Sequence, residues 1–422
     1  MPNVHVFFSL SARVRAVLRA ALALGAASIA AAETPLFRAD ASNGVITISE
    51  ASSSMLDLLD RTIRREGEFA ALAGTDYSAS ITFLGIANSM RIDLNAAGTG
   101  ARLSIPSINF SREFTGANEG EVRDRIRAFL KREGADIVGR LRSAVRPLSA
   151  ASITDGNPDA NTASAARAIF FSQGLTPAAT LVFDADDEPV EPGRSGFAVT
   201  ARTAEMEIDG VDYTATQLRL AVDLFSLKLS DRVRLEMPLA ADYVEIEGTE
   251  IYGAGAFLAL PVRIYTLDAE RALGWRLTPV AGGQTRVSFD AVSGAITWHV
   301  GLVSTVDYRV SPRLIVSLIN QATYHQGLPI AVRGFTFESD VHQVILKNGF
   351  RLLTPLGHRG HAGIHYVHTD FLQEAAIDGY HTAGVSVEAR MGRSISVSTV
   401  LESDWAAGYS SLAGRLQFNW HW

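Results

Sequence analysis

Nine of the ten histidines fall between His299 and His421, with the densest group at His358, His361, His365 and His368. Imidazole is the commonest metal ligand and a proton acceptor near neutral pH. On an extended chain His361 and His365 share one face and His368 takes the other. Residues four apart on a strand stand about 13 Å from each other. A metal held there would need a ligand from a second strand, and the sequence points to none. The same region supplies Ser304, Asp307, His299, His365 and Asp370, the residue types of a hydrolytic site. Neither a G-x-S-x-G elbow nor an H-E-x-x-H helix accompanies them, so the local geometry that activates serine or water is missing. A third candidate runs from Asp155 through Gly156, Asn157, Pro158, Asp159, Ala160 and Asn161 to Thr162. Its oxygens suit calcium, but the later bidentate glutamate of an EF-hand loop is absent. The expectation is no catalytic residue, no metal and no cofactor.

These residues sit on long alternating segments. In Gly294–Val310, Ile296, Trp298, Val300, Leu302, Val306, Tyr308 and Val310 fall on one side. Thr297, His299, Thr305, Asp307 and Arg309 fall on the other. An ordinary strand has about five or six residues, far fewer than this run. Four further segments repeat the pattern: Tyr213–Leu227, Val341–Leu353, His381–Met391 and Ile395–Trp405. Asp209-Gly210, Ser230-Asp231, Gly282-Gly283, Ser311-Pro312, Gly357 and Gly392 read as the turns between them. The polar sides carry Arg219, Asp223, Asp307, Arg309, Lys347, Arg351, Glu388 and Arg390.

The last strand is the most telling. Leu416, Phe418, Trp420 and Trp422 alternate with Arg415, Gln417, Asn419 and His421, giving one apolar, aromatic face. A final aromatic residue after such a strand resembles the bacterial outer-membrane β-barrel proteins. The resemblance implies that this strand closes a barrel and that Leu416, Phe418, Trp420 and Trp422 form the signal read by the barrel-assembly machinery. It also implies an outer-membrane location, outward faces on lipid, and charged faces in a lumen. A strand crosses the hydrocarbon layer in about 9–11 residues, and Trp298 and Tyr308 are spaced to sit in the two interfacial girdles. In the lumen the eight charges would either set pore selectivity or pair across a closed core.

The fold class is thus mainly β: a transmembrane antiparallel barrel of about 12 strands over residues 196–422, preceded by a small α+β periplasmic domain over 33–150. Residues 1–32 read as a signal peptide. Arg13, Arg15 and Arg19 precede an Ala-rich apolar run ending in Ala30-Ala31-Ala32. Within 33–150, Val45–Ile48, Ser80–Leu84, Arg91–Leu94 and Arg102–Ile105 read as strands and Ser52–Ile63 as a short helix. Asn118 and Glu121 form a capping box opening a helix over Glu119–Arg146. Arg123, Arg125, Arg127, Lys131, Arg132, Arg140, Arg142 and Arg146 crowd that helix's polar face, interleaved with acids. That face is either solvated and self-paired or offered to a periplasmic or peptidoglycan partner. Residues 151–195 read as a linker containing a short helix, Thr162–Gln173. Absence of cysteine removes thiolate chemistry, and a formal net charge of −7 argues against nucleic acid.

Three readings of function follow. The first is a barrel for small-solute passage or envelope anchoring. The second is an autotransporter-like secretion or surface-display protein, from which the chain departs in lacking a repetitive β-helix passenger. A barrel hydrolase is a third. The assembly-signal reading carries a test: deleting Trp422 should reduce the folded, heat-modifiable band in outer-membrane fractions, whereas undiminished accumulation overturns it.

Overall fold

The computed structural model describes residues 35–130, 135–145, 148–175, 194–208, 210–266, 273–291, 293–328, 330–332, 335–337, 341–356, 360–391 and 395–421. Trp422, Gly357, His358 and Gly392 lie outside the described residues, as does the stretch read as a signal peptide.

The amino-terminal unit comprises β1 (Phe37–Ser42), β2 (Thr47–Ser52), α1 (Met55–Arg64), β3 (Tyr77–Phe83), β4 (Ile86–Leu94), β5 (Gly100–Ile105), β6 (Phe110–Thr115), α2 (Glu119–Ala128) and α3 (Ala135–Val145). Its strands form one antiparallel sheet in the order β2-β1-β3-β4-β5-β6. Alternation decides the faces. Phe37, Ala39, Tyr77, Ile81, Ile92 and Leu103 turn inward, where they meet Leu58, Leu59 and Ile63 of α1 and Val122 and Ile126 of α2. The opposite sheet face stays open and polar, with Arg38–Asp40, Arg91–Asp93 and Arg102–Glu113 ion pairs. Ser54 caps α1 by accepting from Asp57 N–H. Asn118 caps α2 by accepting from Glu121 N–H at 3.0 Å, while the Glu121 carboxylate reaches back to Ala117 N–H at 3.1 Å. Of the helix expected over Glu119–Arg146 the described residues show α2 and α3; residues 131–134 and Arg146 lie outside the described residues.

Next comes α4 (Asn161–Ile169), and then the large sheet. Its strands are β7 (Arg194–Ile208), β8 (Val211–Lys228), β9 (Arg234–Ile246), β10 (Thr249–Ala259), β11 (Val262–Thr266), β12 (Leu273–Ser288), β13 (Ser293–Ser311) and β14 (Leu314–Leu328). A small hairpin, β15 (Ile330–Val332) with β16 (Phe335–Phe337), intervenes. The sheet continues as β17 (His342–Pro355), β18 (Gly360–Phe371), β19 (Gly379–Met391), β20 (Ile395–Ala406) and β21 (Tyr409–His421). Every neighbour is antiparallel, β21 pairs back onto β7, and β10 pairs with β12. Since β11 prolongs β10 beyond Leu260-Pro261, the result is a closed twelve-stranded barrel. Closure leaves no edge, which is the condition for a sheet to sit in hydrocarbon with every backbone group paired.

Side-chain register agrees with the sequence pattern. Val300, Leu302, Leu318, Ile364, Val385 and Leu401 point outward and are 41–54% exposed. An uncovered apolar band of this extent is a lipid-facing surface. Aromatic rings bound it. Trp298 meets Tyr324 at one end, with centroids 5.6 Å apart, and Phe197 stacks on Phe418 at 5.0 Å at the other. Trp298 and Tyr308 lie on the same outward face of β13, ten positions apart, which on a tilted strand spans the apolar band of about 25 Å. Trp420 pairs with Ile395 through the backbone, and its side chain lies outside the described residues.

One expected turn is absent. Gly282 and Gly283 lie inside β12, opposite Phe257 and Ala256 of β10. A Cβ on Gly282 would collide with Ala256 O and Phe257 Cβ, so the glycine is there for close backbone approach, not for a bend.

All five described turns and both termini of the barrel fall into two sets by chain direction. Arg194 and His421 mark one end. The amino-terminal unit sits on the other, where Met55 N–H donates to Asp290 O at 2.8 Å and Thr249 Oγ1 to Ser53 O at 2.9 Å. Ile208, Val244, Ile246, Ile251 and Ala291 at this end join the apolar core of the amino-terminal unit. Burial pushes the Asp290 carboxyl above its usual range, and the Glu250 carboxylate beside it adds to the shift.

If β13 presents its even positions to lipid, Leu302→Arg should cost about 2–4 kcal/mol. Ala221→Arg, which extends into the lumen, should cost clearly less. Urea midpoints of the two refolded variants decide it; equal losses would mean the assigned faces are wrong.

Candidate functional site in the barrel lumen

The polar sides of the strands converge on a segment of the chain itself. Residues 151–175, read from sequence as linker, are the filling of the barrel, and Ile153–Ala166 are buried almost without interruption. The path is fixed by contacts in chain order. Ala376 N–H donates to Gly156 O at 2.9 Å near the end that carries the amino-terminal unit. Arg219 donates to Ser164 O at 3.1 Å, and Gln321 Nε2 to Ala166 O at 2.9 Å, further along. Arg276 donates to Gln173 O at 3.1 Å, and Gln173 Nε2 to Glu236 at 3.0 Å, near the end where β7 begins. The chain therefore threads the barrel from one end to the other. An α-helix with side chains is about 10–12 Å across, so a barrel this narrow admits one only if its side chains are small. The sequence of α4, Asn-Thr-Ala-Ser-Ala-Ala-Arg-Ala-Ile, meets that condition.

Its one charged residue is part of the dominant cluster. Arg167 donates to Asp404 at 3.1 Å and to Tyr380 Oη at 3.2 Å. Asp404 also pairs with Arg202 and accepts from Thr382 Oγ1 at 2.6 Å and Ser411 Oγ at 2.8 Å. Arg202 in turn pairs with Asp159 on the incoming chain and bonds Tyr409 Oη. Arg202 lies on β7 and Tyr409 and Ser411 on β21, so the cluster spans the seam where the barrel closes and ties the inserted segment to it. A second buried pair, Arg286 with Asp242, also holds Asp159 O.

The eight charged residues picked from sequence are distributed as follows. Asp307 and Arg351 pair at 3.7 Å, with Ser317 bridging. Lys347 donates to Thr369 Oγ1 at 2.8 Å and Tyr380 Oη at 3.0 Å. Arg219 holds α4, Asp223 borders the remaining lumen space, and Glu388 faces His361 at 3.5 Å. Arg309 is half-buried on the lumen face of β13. The side chain of Arg390 lies outside the described residues. Arg202, Asp404, Asp159 and Arg286 were not among those eight. For Arg202, Asp404 and Arg286 the signal was a charge on an inward strand position; Asp159, and the Arg167 that meets Asp404, come from the inserted chain.

Other candidates are not brought together. His365 bonds Glu402 at 2.7 Å, while His368 points outward to Asp370 at 2.9 Å. Ser304 faces outward and accepts from Trp275 Nε1 at 3.1 Å, on the opposite side of the sheet from Asp307 and His299. Asp155 and Asn157 are buried in the barrel mouth, with Asn157 Nδ2 on Ser152 O at 2.7 Å. In the amino-terminal unit the basic face is largely self-paired: Arg127 with Asp60 at 2.9 Å and Arg123 with Asp124 at 2.6 Å. The side chains of Lys131, Arg132, Arg142 and Arg146 lie outside the described residues. Between α4 and the wall about 100 Å³ is open to water, the volume of about three molecules.

No protein-family model matches this chain, and no curated relative matches it. Solved barrels do. The translocator domain of the autotransporter NalP from Neisseria meningitidis matches at 12% identity and a TM-score of 0.41, over 62% of this chain and 98% of that one. The transport unit of the autotransporter AIDA-I from Escherichia coli matches at 10% and 0.37, over 61% and 98%. An outer-membrane channel from Pseudomonas putida F1 matches at 16% and 0.41, over 57% and 100%.

Removing one partner from a buried ion cluster leaves charge uncompensated, at roughly 3–5 kcal/mol. Asp404→Ala should lose about that much by urea midpoint and expose the bond after Arg167 to trypsin. Asp231→Ala, on an exposed turn, should stay within about 0.5 kcal/mol of the parent.

Proposed function

We propose that the protein is a sealed outer-membrane anchor that holds its own amino-terminal α+β unit at the cell surface, in the manner of an autotransporter-like display protein. The observation that carries this is the threaded segment. Barrels with an even number of strands keep both barrel termini on the periplasmic side. Here both termini lie at one end and the amino-terminal unit at the other, joined by the chain through the lumen. This reading differs from the periplasmic placement expected from sequence. Passage of solutes is disfavoured, since α4 and the buried ion cluster occupy the space a solute would use. The surface presented outward is the open polar face of the six-stranded sheet, together with the caps of its helices.

The chain has no cysteine, so single-cysteine labelling reports topology directly. Ala73→Cys lies on the amino-terminal unit and Asp231→Cys on a turn at the opposite end. In intact cells a membrane-impermeant maleimide should label Ala73→Cys and spare Asp231→Cys until the outer membrane is opened. The reverse pattern would make the amino-terminal unit periplasmic and end this reading.

A further inference from the structure

Three adjacent lumen positions break the rule that buried polar atoms find partners. His299 of β13 stands directly opposite His325 of β14, which stands opposite Gln343 of β17. All three are buried, at 2%, 0% and 0% exposure. Among the described residues neither ring nitrogen of His299 has a hydrogen-bond partner, nor has His325 Nδ1, nor either amide atom of Gln343. His325 Nε2 is engaged, at 3.0 Å from Thr323 Oγ1. Other lumen groups among the described residues also lack a partner, the hydroxyls of Thr278 and Thr305 among them, but this row sets two such imidazoles side by side.

The geometry is that of a chelating pair. The two imidazole rings lie 5.4 Å apart at an angle of 42°. Two imidazoles sharing one tetrahedral ion at ~2.0–2.1 Å put their centroids roughly 5 Å apart. Both side chains rise from neighbouring strands in fixed register, so little rearrangement is needed. Phe257 packs edge-on against His299 at 6.3 Å and limits its rotation. His299 also borders the hydrated space beside α4, which gives an ion a route in and leaves room for water ligands. Nitrogen donors exclude the hard cations, which take oxygen. They suit zinc, copper or nickel. Among the described residues no group of three or more His, Cys, Asp or Glu forms a metal cage, so an amide and water must complete the set.

We propose that His299 and His325 bind one divalent transition-metal ion inside the barrel, with Gln343 Oε1 as a further ligand. The ion cross-links β13 to β14 on the side of the lumen away from the seam cluster.

The test uses the full chain refolded in detergent and stripped with chelator. Zn²⁺ titration should give one more bound equivalent for the parent than for His299→Gln or His325→Gln, and affinity at that site should fall at least ~10-fold in either variant. His368→Gln, on the lipid side, should keep the extra equivalent. Histidine C2-hydrogen exchange on the parent, read residue by residue by mass spectrometry, needs no variant to fold. Zn²⁺ should slow exchange at His299 and His325 and leave His342 unchanged. Equal stoichiometry in parent and variants, or unchanged exchange at both histidines, overturns the proposal and leaves the row as a site for ordered water.

Discussion

The structure depends on one cluster of charges that has no bulk water to turn to. Arg202, Arg167, Asp159 and Asp404 lie inside a closed sheet, where an uncompensated ion is far more costly than at a surface. Each partner comes from a different part of the chain: β7, the inserted helix, the loop before it, and β20. Compensation is complete only when the barrel is closed and the lumen is occupied. The cluster therefore makes two events conditional on one another: strand pairing at the seam and insertion of α4.

Much of the barrel was legible because lipid imposes a simple rule. Every second residue of a crossing strand must be apolar, and Gly294–Val310 follows that rule at each outward position from Ile296 to Val310 except Ser304. The inward positions of Arg219, Asp307, Lys347 and Arg351 followed from the same parity. What parity cannot give is a partner. Asp307 meets Arg351 only because β14 lies between their strands with Ser317 in register, and Asp404 meets Arg167 only because the chain doubles through its own barrel. Gly282 and Gly283 misled for the same reason: glycine marks a turn and a close approach alike, and the distinction rests on β10 being behind them.

The short helix expected over Thr162–Gln173 is present as α4; its place inside the barrel is what the sequence did not show. Hydrophobic periodicity finds helices that pack by large side chains on one stripe. The helix α4 does the opposite, burying Ala163, Ala165 and Ala166 together with Asn161, Thr162 and Ser164 on all sides. Its smallness, and a lone arginine in its last turn, were the readable signal. They look like a linker unless one asks what would fit inside a ring of twelve strands.

Threading has a consequence for the order of events. The amino-terminal unit, with six strands and helices packed on them, is far wider than the single helix that fills the ring. Once β7 and β21 have zipped together, that unit cannot be moved across in folded form, and the helix cannot be withdrawn without undoing it. The chain must therefore cross while the amino-terminal residues are still unfolded, or the ring must close around a strand of chain already in place. Folding on the far side then works as a knot in a thread, making the arrangement hard to reverse even where the contacts in the lumen are individually modest.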